Sequence, residues 1–420
     1  MNENDVNRYL SIAETDPSRM GWMNGFPPAK DKIVSAKNGS FFEFPALRYS
    51  VNHMREFLPT REVRAAKEDY AEFKVKPDKN IDYVEFTPWD EERPITWEES
   101  LERNYTDGII VLHKGIIVYE KYFGGLKPDG LHAAMSVSKS FTGTIASVLI
   151  AENRINPDEL VSTYVPELKH SGFGDATVRQ VLEMTTAIKY SEDYNDPNAE
   201  IWTFSASGNV FQSDNYKGPS CYYEYLPTVK KQSKIQHGDV FGYRTVNTEV
   251  MGWIISKITG HSITELISRM IWQPLGAKYD GYYQVDSAGI AFAGGGFNLN
   301  LRDMAAFGEM MRNEGKFEGK HIIPKEAVRD ITCGGSQQAF EKSGEYPMLK
   351  GWSYRNMWWI TNNSHKAYMA RGVHGQAIYI DPKAEMVIVR FASNPLSSNK
   401  FIDPLSIPAY EAVAEYLLHK

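Results

Sequence analysis

The stretch His132–Thr144 reads HAAMSVSKSFTGT and runs directly into the apolar segment Ile145–Ile150, IASVLI. Three serines stand around Lys139, and the residues from Ser136 to Lys139 form an S-x-x-K pattern. On a helix, positions i and i+3 share one face, which would bring the Lys139 ammonium close to the Ser136 hydroxyl. The apolar run that follows predicts a buried helix, which would hold this pair in place.

A serine hydroxyl is a weak nucleophile until a base takes its proton or a cation favours its alkoxide. A lysine in a desolvated site can do either, and the first N–H groups of a helix add a positive field. The structural alternative is that Ser136 caps the helix while Lys139 points to solvent, and the motif alone leaves both interpretations open. A second S-x-x-K, Ser397-Ser398-Asn399-Lys400, follows Pro395 in a polar loop with no helix to align its groups, so we set it aside.

The composition predicts an ordinary globular protein, since 42% of the 420 residues are hydrophobic and 24% are charged. The net charge of −7 gives no basic footprint for nucleic acid. No apolar window is long enough to span a membrane, and the N-terminus shows no secretory signal, so we expect a cytoplasmic protein. Cys221 and Cys333 lie far apart, and the sequence contains no metal or cofactor motif, so we expect neither group.

The order of predicted elements indicates the architecture. A buried hairpin is predicted over Asp107–Gly125, and helices over Thr177–Ile188, Asn247–Gly260 and Ile407–His419. Between the last two helices, strands are predicted over Met357–Thr361, Gly375–Pro382 and Met386–Ser393. This order favours one α/β domain built from both ends of the chain, with an all-α insertion. We expect a wrapping segment at 1–100, an α/β domain at 101–135 plus 285–420, and a mostly helical domain at 136–284.

A third group is needed to carry the proton to the leaving group, and the sequence offers two candidates. Ser213-Asp214-Asn215 spells the S-D-N of class A β-lactamases and penicillin-binding proteins, although such triplets are common in loops. Tyr243 stands just before a strongly amphipathic helix. A phenol beside a lysine can have a lowered pKa and act as general base and acid. The structural alternative for Tyr243 is a half-buried aromatic residue in a chain with 24 tyrosines.

Five blocks occur in a fixed order along the chain: MSVSKSFTGTIASVLIAENRI, VSTYVPEL, TVRQVLEM, the run from Tyr243 through ISRMIWQPLGA, and GGGFNLNLRDMAAFGEMM. Together they closely resemble the class C β-lactamase and penicillin-recognising serine hydrolase superfamily. SVNHMREFLPTREV, YSEDYNDP and WWITNN resemble its branch of 6-aminohexanoate-dimer (nylon-oligomer) hydrolases and related carboxylesterases. The resemblance implies an antiparallel sheet flanked by helices, Ser136 as nucleophile, Lys139 beside it, and Tyr243 rather than the S-D-N.

Acyl transfer also needs N–H donors for the oxyanion. The N–H of Ser136, at a helix start, is the first candidate, and the resemblance assigns the second to Val373 in Arg371-Gly372-Val373-His374-Gly375. Gly372 would let substrate approach the backbone closely. This segment replaces the K-T-G of β-lactamases, so efficient β-lactam hydrolysis is not expected. His374 lies beside the predicted oxyanion hole, but we assign it no catalytic role.

The resemblance also assigns substrate contacts to Tyr194, which would face the departing amine, and to the pocket-wall residue Trp359. At the position near the far end of the substrate this chain has Ser205, which offers no charge partner for a substrate ammonium. We expect hydrolysis of small linear amides through an acyl-enzyme, as in the 6-aminohexanoate-oligomer hydrolases, with esterase activity alongside and without cofactor. The resemblance also implies a homodimer. The alternatives are a carboxylesterase with another natural substrate, a β-lactamase or D,D-peptidase, and a non-catalytic penicillin-binding-like protein.

Overall fold

The computed structural model describes residues 9–194, 196–212 and 215–420. Within them the helices are α1 Pro17–Met20, α2 Leu47–Ser50, α3 Trp97–Arg103, α4 Val137–Ala151, α5 Val161–Tyr164, α6 Val178–Leu182, α7 Glu200–Ser207, α8 Tyr222–Tyr225, α9 Val246–Thr259, α10 Ile263–Ile267, α11 Leu301–Arg312, α12 Lys325–Thr332, α13 Gln337–Lys342 and α14 Asp403–Leu418. The strands are β1 Thr60–Val63, β2 Glu85–Phe86, β3 Ile95–Thr96, β4 Thr106–His113, β5 Ile116–Tyr122, β6 Leu131–Ala133, β7 Ile188–Lys189, β8 Lys230–Lys231, β9 Gly281–Gln284, β10 Phe297–Asn300, β11 Lys316–Phe317, β12 Lys320–His321, β13 Ser353–Arg355, β14 Trp358–Ile360, β15 Tyr368–Gly372, β16 Gln376–Asp381 and β17 Met386–Ala392.

The largest sheet has seven antiparallel strands in the order β13-β14-β15-β16-β17-β4-β5. The hairpin β4-β5 from the first third of the chain pairs with β17 near its end, because Ile109–Ile110 lie opposite Val389–Arg390. An antiparallel sheet that is flanked by helices and built from both ends of the chain confirms the predicted fold class. The domain boundaries stay a prediction.

The predicted hairpin forms, but its two strands are covered to different extents. Every residue from Thr106 to Leu112 in β4 is buried, because β4 lies between β17 and β5. In β5 only Ile117, Val118 and Tyr119 are buried, because β5 is the edge strand of the sheet. The expectation that both strands are covered on both faces therefore holds for the first strand only.

Two of the predicted helices have different limits. Helix α6 begins with a capping box formed by Thr177 and Gln180, but it ends at Leu182 rather than continuing to Ile188. The chain turns away because Met184 adopts a positive φ of 52°, and Ile188 then joins β7. Helix α14 begins at Asp403, earlier than predicted, since Pro404 is tolerated in the first turn of a helix.

Helix α4 is the buried centre of the molecule. Every residue from Val137 to Leu149 is buried, and the Phe141 ring stacks on Phe307 with 3.9 Å between ring centroids. Gly143 permits a close approach, because a Cβ atom there would lie 2.1 Å from the Asn356 carbonyl oxygen. Such packing gives the first turn of α4 a fixed position.

A second, four-stranded sheet leads the chain into α4. Strand β6 pairs with β10, and the order of the sheet is β1-β9-β10-β6. The N-terminal segment supplies β1 and packs Phe41, Leu47 and Val51 into a core shared with Met135. Among the described helices, none combines the length and the apolar character that a membrane crossing requires.

Candidate active site

The strand-to-helix junction places Ser136 at the start of α4 with its hydroxyl available. Met135 adopts a left-handed φ of 49° between β6 and the helix, and Ser136 occupies the N-cap position. The Ser136 side chain makes no capping hydrogen bond. The structural alternative, a capping serine beside an exposed lysine, is therefore wrong, because the hydroxyl faces Lys139 instead.

Lys139 is buried beneath the serine, with 1% of its surface exposed. Its Nζ donates to Ser136 Oγ at 2.9 Å and to the Gly294 carbonyl oxygen at 2.7 Å. Burial lowers the pKa of Lys139 to about 8, and the nearby carboxylates of Glu192 and Glu249 oppose this shift. Near neutral pH, a usable fraction of Lys139 is therefore unprotonated and able to accept a proton.

Tyr243 contacts the same two residues from the loop before α9. The Tyr243 phenol lies beside the Ser136 hydroxyl and interacts with it, and Lys139 Nζ lies 5.0 Å from the centroid of the Tyr243 ring. Burial raises the pKa of Tyr243 above its ordinary value. The lowered pKa expected from the neighbouring lysine is therefore wrong, because the cost of desolvating a phenolate is larger here. The phenol is protonated at neutral pH and suited to donate a proton.

Two N–H groups lie beside the nucleophile without acceptors. Within the described part of the chain, neither the Ser136 N–H nor the Val373 N–H makes a hydrogen bond. Strand β15 runs very close to the start of α4, since a Cβ atom on Gly372 would lie 3.0 Å from Ser136 N and 2.7 Å from the Ala134 carbonyl oxygen. Only glycine fits this approach, and a substrate oxygen near Ser136 would find donors on both sides.

His374 is a structural residue. It is 4% exposed, and its Nδ1 lies 2.7 Å from the Asn394 carbonyl oxygen. Burial lowers its pKa to about 4, so the ring is neutral at physiological pH. This arrangement agrees with giving the histidine no catalytic role.

Glu192 is a site residue that sequence reasoning missed. Its carboxylate accepts hydrogen bonds at 2.6 Å from both the N–H and the hydroxyl of Thr245, and at 3.2 Å from the Tyr194 hydroxyl. Glu192 thus ties the loop that carries Tyr194 to the loop that carries Tyr243. Its position two residues before Tyr194 is a weak signal, because nothing local shows that Thr245 lies opposite.

Glu249 was also missed, although the sequence contained a signal. Its carboxylate accepts hydrogen bonds from the N–H groups of Ala293 at 3.1 Å and Gly294 at 2.7 Å, beneath the carbonyl that holds Lys139. Burial raises the pKa of Glu249 to about 8. Helical spacing already places Glu249 on the apolar face of α9, between Val246 and Trp253, where an ionisable residue is unusual.

Two cavities meet at the nucleophile. The polar cleft, about 410 Å³, includes Tyr243, Trp359 and Arg371 in its lining, and the apolar pocket, about 90 Å³, includes Trp202, Phe211 and Ser205. Both cavities share Ser136, Tyr194 and Val373. The Trp359 ring packs against the Tyr243 ring with 5.3 Å between centroids, so it lies in the cleft wall as expected.

Most of the predicted site residues are brought together in this region. Ser136, Lys139 and Tyr243 are in mutual contact, while Gly372, Val373, Tyr194 and Trp359 surround them. The competing S-D-N cannot be placed, because Ser213 and Asp214 lie outside the described residues. A buried lysine, a protonated phenol and free N–H donors around one serine are suited to acyl transfer.

Comparison with known proteins supports this chemistry. The Beta-lactamase family model matches residues 99–404. The chain is 36% identical over 298 residues to the 6-aminohexanoate-dimer hydrolase of Paenarthrobacter ureafaciens, covering 71% of this chain and 75% of that protein. The predicted resemblance is thereby confirmed.

Solved structures give the same result. The structure named "Putative 6-aminohexanoate-dimer hydrolase from Bacillus anthracis" superposes with a TM-score of 0.82 at 34% identity, covering 93% of this chain and 98% of that chain. A family VIII carboxylesterase superposes with a TM-score of 0.54 at 16% identity, covering 75% of this chain and 96% of that chain. At that level of identity the second likeness shows the fold alone.

Proposed function

This chain belongs to the beta-lactamase family of serine hydrolases, and on that premise we propose that Ser136, Lys139 and Tyr243 catalyse hydrolysis of linear amides, with esterase activity alongside. One observation carries the proposal. Lys139 Nζ, which is buried, lies 2.9 Å from Ser136 Oγ, and the Tyr243 phenol lies beside the same hydroxyl in the lining of the polar cleft. A non-catalytic binding protein would have no need of this arrangement.

Acylation follows from the protonation states of the three residues. Neutral Lys139 accepts the Ser136 proton as Oγ bonds to the substrate carbonyl carbon. The N–H groups of Ser136 and Val373 stabilise the oxyanion that develops. Tyr243 gives its proton to the leaving nitrogen as the C–N bond breaks, and Lys139 returns a proton to the phenolate. The products are a free amine and an acyl group esterified to Ser136.

Deacylation runs through the same residues in reverse order. Neutral Lys139 accepts the proton of the Tyr243 phenol while the phenol oxygen takes a proton from water, whose oxygen attacks the acyl carbon. The Oγ–C bond breaks, Ser136 recovers its proton, and the carboxylic acid leaves. Because the polar cleft opens directly on Tyr243, water reaches the acyl-enzyme from the side that the amine has vacated.

The amide assignment has two supports. The relative from Paenarthrobacter ureafaciens carries the name of an amide hydrolase, and Tyr194, held by Glu192, lines both cavities. An amine departs poorly without a proton, so a protonated phenol beside the nucleophile favours amide cleavage. Arg371-Gly372-Val373 stands in place of K-T-G, which argues against efficient β-lactam hydrolysis. The homodimer and the cytoplasmic location stay predictions.

A substrate panel tests the proposed function. Purified protein is assayed in parallel with the 6-aminohexanoate linear dimer, p-nitrophenyl butyrate and nitrocefin. We expect cleavage of the dimer and of the ester, with nitrocefin the poorest substrate. Ester cleavage without any amide cleavage would move the enzyme to the carboxylesterases, and fast nitrocefin hydrolysis would contradict the argument from K-T-G.

Replacing Tyr243 with phenylalanine is expected to distinguish amides from activated esters. Loss of the proton donor should reduce kcat for an amide by about 10²- to 10⁴-fold, but kcat for p-nitrophenyl butyrate by far less, since p-nitrophenolate leaves without a proton. Tyr354→Phe is the matched control, because the Tyr354 ring packs against Tyr243 at 6.1 Å between centroids but contacts neither cavity. Equal losses on both substrates would rule out Tyr243 as the acid for the leaving group.

Glu249→Gln is expected to move the pH profile to lower pH. Activity should rise with pH through the pKa of Lys139, about 8, because the neutral amine is the active form. Glu249 ionises over the same range, near pH 8, and its carboxylate then raises the pKa of Lys139. Glutamine cannot ionise, so the pKa of Lys139 is lower in the variant, while the glutamine oxygen still accepts from Gly294. We expect a shift of roughly 0.5 to 1 pH unit in kcat/KM against pH. An unchanged midpoint would show that a group other than Lys139 controls the rise of kcat/KM with pH.

A further inference from the structure

The position of Tyr243 assigns the two halves of a substrate to different cavities. Tyr243 lines the polar cleft and is absent from the lining of the apolar pocket. Since Tyr243 delivers the proton to the departing nitrogen, the leaving amine must lie in the polar cleft. The acyl chain, on the other side of the carbonyl carbon, is left with the apolar pocket.

The apolar pocket accepts an uncharged chain. Among the described residues that line it, none carries a charged side chain, and its polar groups are neutral ones such as Ser205 and Gln284. Aromatic rings form much of its wall, with Trp202 and Phe211 in edge contact at 5.5 Å between centroids. An ammonium placed here would lose its hydration without gaining a counter-charge, which is strongly unfavourable.

The polar cleft contains a loop of unpartnered hydrogen-bond donors. Ser397, Ser398, Asn399 and Lys400 all line it. Over the ranges that the structure describes, the side chains of these four residues make no hydrogen bond or ion pair with the protein. Lys400 is exposed and rests over the ring of Tyr346, 5.1 Å from its centroid. This loop is the second S-x-x-K, which we set aside as a catalytic motif.

A second cation in the same cleft, Arg371, is held in place by aromatic rings and by a carboxylate. Arg371 is 3% exposed, and its guanidinium lies 4.4 Å from the Trp359 ring centroid and 5.9 Å from that of Tyr346. Its Nη2 donates to Asp403, whereas its Nη1 is buried and has no hydrogen-bond partner among the described residues. Asp403 also faces the buried Arg390, so two guanidinium groups share a single carboxylate and the cluster keeps a net positive charge.

The other charged groups of the cleft interact with groups of the protein. Arg244 pairs with Glu345 at 2.9 Å, and Glu192 accepts hydrogen bonds from Thr245, beside the catalytic residues. Asp193 belongs to the same loop as Glu192, and it too interacts with the protein. The positive charge that is available to a ligand is therefore that of Arg371 and Lys400, which both lie near the Tyr346 ring.

We propose that the preferred substrates are N-acylated amino acids with an uncharged, apolar acyl chain, whose carboxylate is bound by Arg371 and the Ser397–Lys400 loop. The proposal rests on the proposed function and narrows its substrate class. Hydrolysis then yields the fatty or other apolar carboxylic acid and the free amino acid, by the bond changes given above. The 6-aminohexanoate dimer meets the requirement at its carboxylate end, but it places an ammonium in the apolar pocket.

Three amides of nearly equal size test the assignment. They are N-hexanoyl-6-aminohexanoate, N-hexanoylhexylamine, which lacks the carboxylate, and the 6-aminohexanoate linear dimer, which adds an ammonium to the acyl chain. We expect kcat/KM for the first to exceed that for the second by about 10- to 100-fold, the range of a charge-assisted contact. We expect kcat/KM for N-hexanoyl-6-aminohexanoate to exceed that for the dimer by at least about tenfold.

The variant Lys400→Glu places an anion in the loop without disturbing the core, since Lys400 is exposed. It should reduce the kcat/KM advantage of N-hexanoyl-6-aminohexanoate over N-hexanoylhexylamine at least about tenfold, mainly through a higher KM for the substrate that carries the carboxylate. Lys320 in β12 is also exposed, and Lys320→Glu makes the same charge change outside the cleft. It should alter kcat/KM for neither amide. An equal loss of kcat/KM for both amides in Lys400→Glu would indicate a structural role for Lys400 and overturn the carboxylate site.

The remaining outcomes separate this inference from the proposed function. Equal rates for the first two amides would overturn the carboxylate site, and a faster dimer would overturn the assignment of the apolar pocket. Ser136-dependent hydrolysis of p-nitrophenyl butyrate without cleavage of any of the three amides would reject the substrate class while leaving the serine hydrolase intact. Absence of Ser136-dependent hydrolysis of every substrate would reject the proposed function itself.

Discussion

Ser136→Ala is expected to reduce hydrolysis of every amide and ester by at least about 10⁴-fold, because no acyl-enzyme can form without the hydroxyl. The fold should be unaffected, since Ser136 makes no capping hydrogen bond at the start of α4. Mass spectrometry of protein quenched during turnover of p-nitrophenyl butyrate should show the acylated peptide of the unaltered protein and none in the variant.

Ser140→Ala is the matched control on the same helix. The Ser140 hydroxyl is buried and donates to the Met357 carbonyl oxygen at 2.7 Å, away from both cavities. Its removal should lower the free energy of unfolding by about 1 to 3 kcal/mol and leave kcat/KM within a few-fold. The opposite pattern, an active Ser136→Ala and an inactive Ser140→Ala, would show that the nucleophile has been wrongly assigned.

Lys139→Met is expected to give the second largest loss, about 10³- to 10⁴-fold in kcat on amides and esters alike, because it removes the base for Ser136. Methionine fills a similar volume without charge. The variant should fold, and at pH 7 its melting temperature should equal or exceed that of the unaltered protein. Steady-state kinetics and thermal unfolding of the same preparation measure both effects.

The stability expectation follows from the pKa of Lys139. A fall from the ordinary value of 10.5 to about 8 means that the folded state disfavours the ammonium by about 3 kcal/mol at pH 7. Because the folded pKa lies below the unfolded one, this penalty shrinks as pH rises from 8 to 10.5, and the two melting temperatures should converge. A variant that is much less stable at pH 7 would show that the bonds to Ser136 and Gly294 outweigh the desolvation.

The sequence was a reliable guide wherever the decisive relation is local. Ser136 and Lys139 meet because a helix places i and i+3 on one face, and the apolar run after them predicted the burial of α4. Helix α9 was predicted to within one residue, since periodicity and a terminal Gly260 define it. Tyr243 and Val373 needed the family resemblance, because no local rule connects them to Ser136.

Predictions failed where the environment outweighs the local pattern. A lysine beside Tyr243 indicated a lowered pKa for the phenol, but burial of the phenol raises its pKa instead. Helix α6 stops after Leu182 because the chain turns at Met184, which the apolar spacing does not show. The loop Ser397–Lys400 was set aside for lack of a helix, yet it lines the same cleft as the nucleophile.

By itself, the sequence determined the fold class from the order of its elements and the Ser136–Lys139 pair from spacing within a single helix. It determined the family through the resemblance of five blocks in a fixed order. Only the tertiary structure decided the protonation states and the substrate-facing surfaces. Lys139 receives its second partner from Gly294, 155 residues away, and the cations of the polar cleft are Arg371, backed by Asp403, and Lys400. Desolvation and charge pairing depend on distance in space, and those distances are fixed only when strands and helices from both ends of the chain pack together.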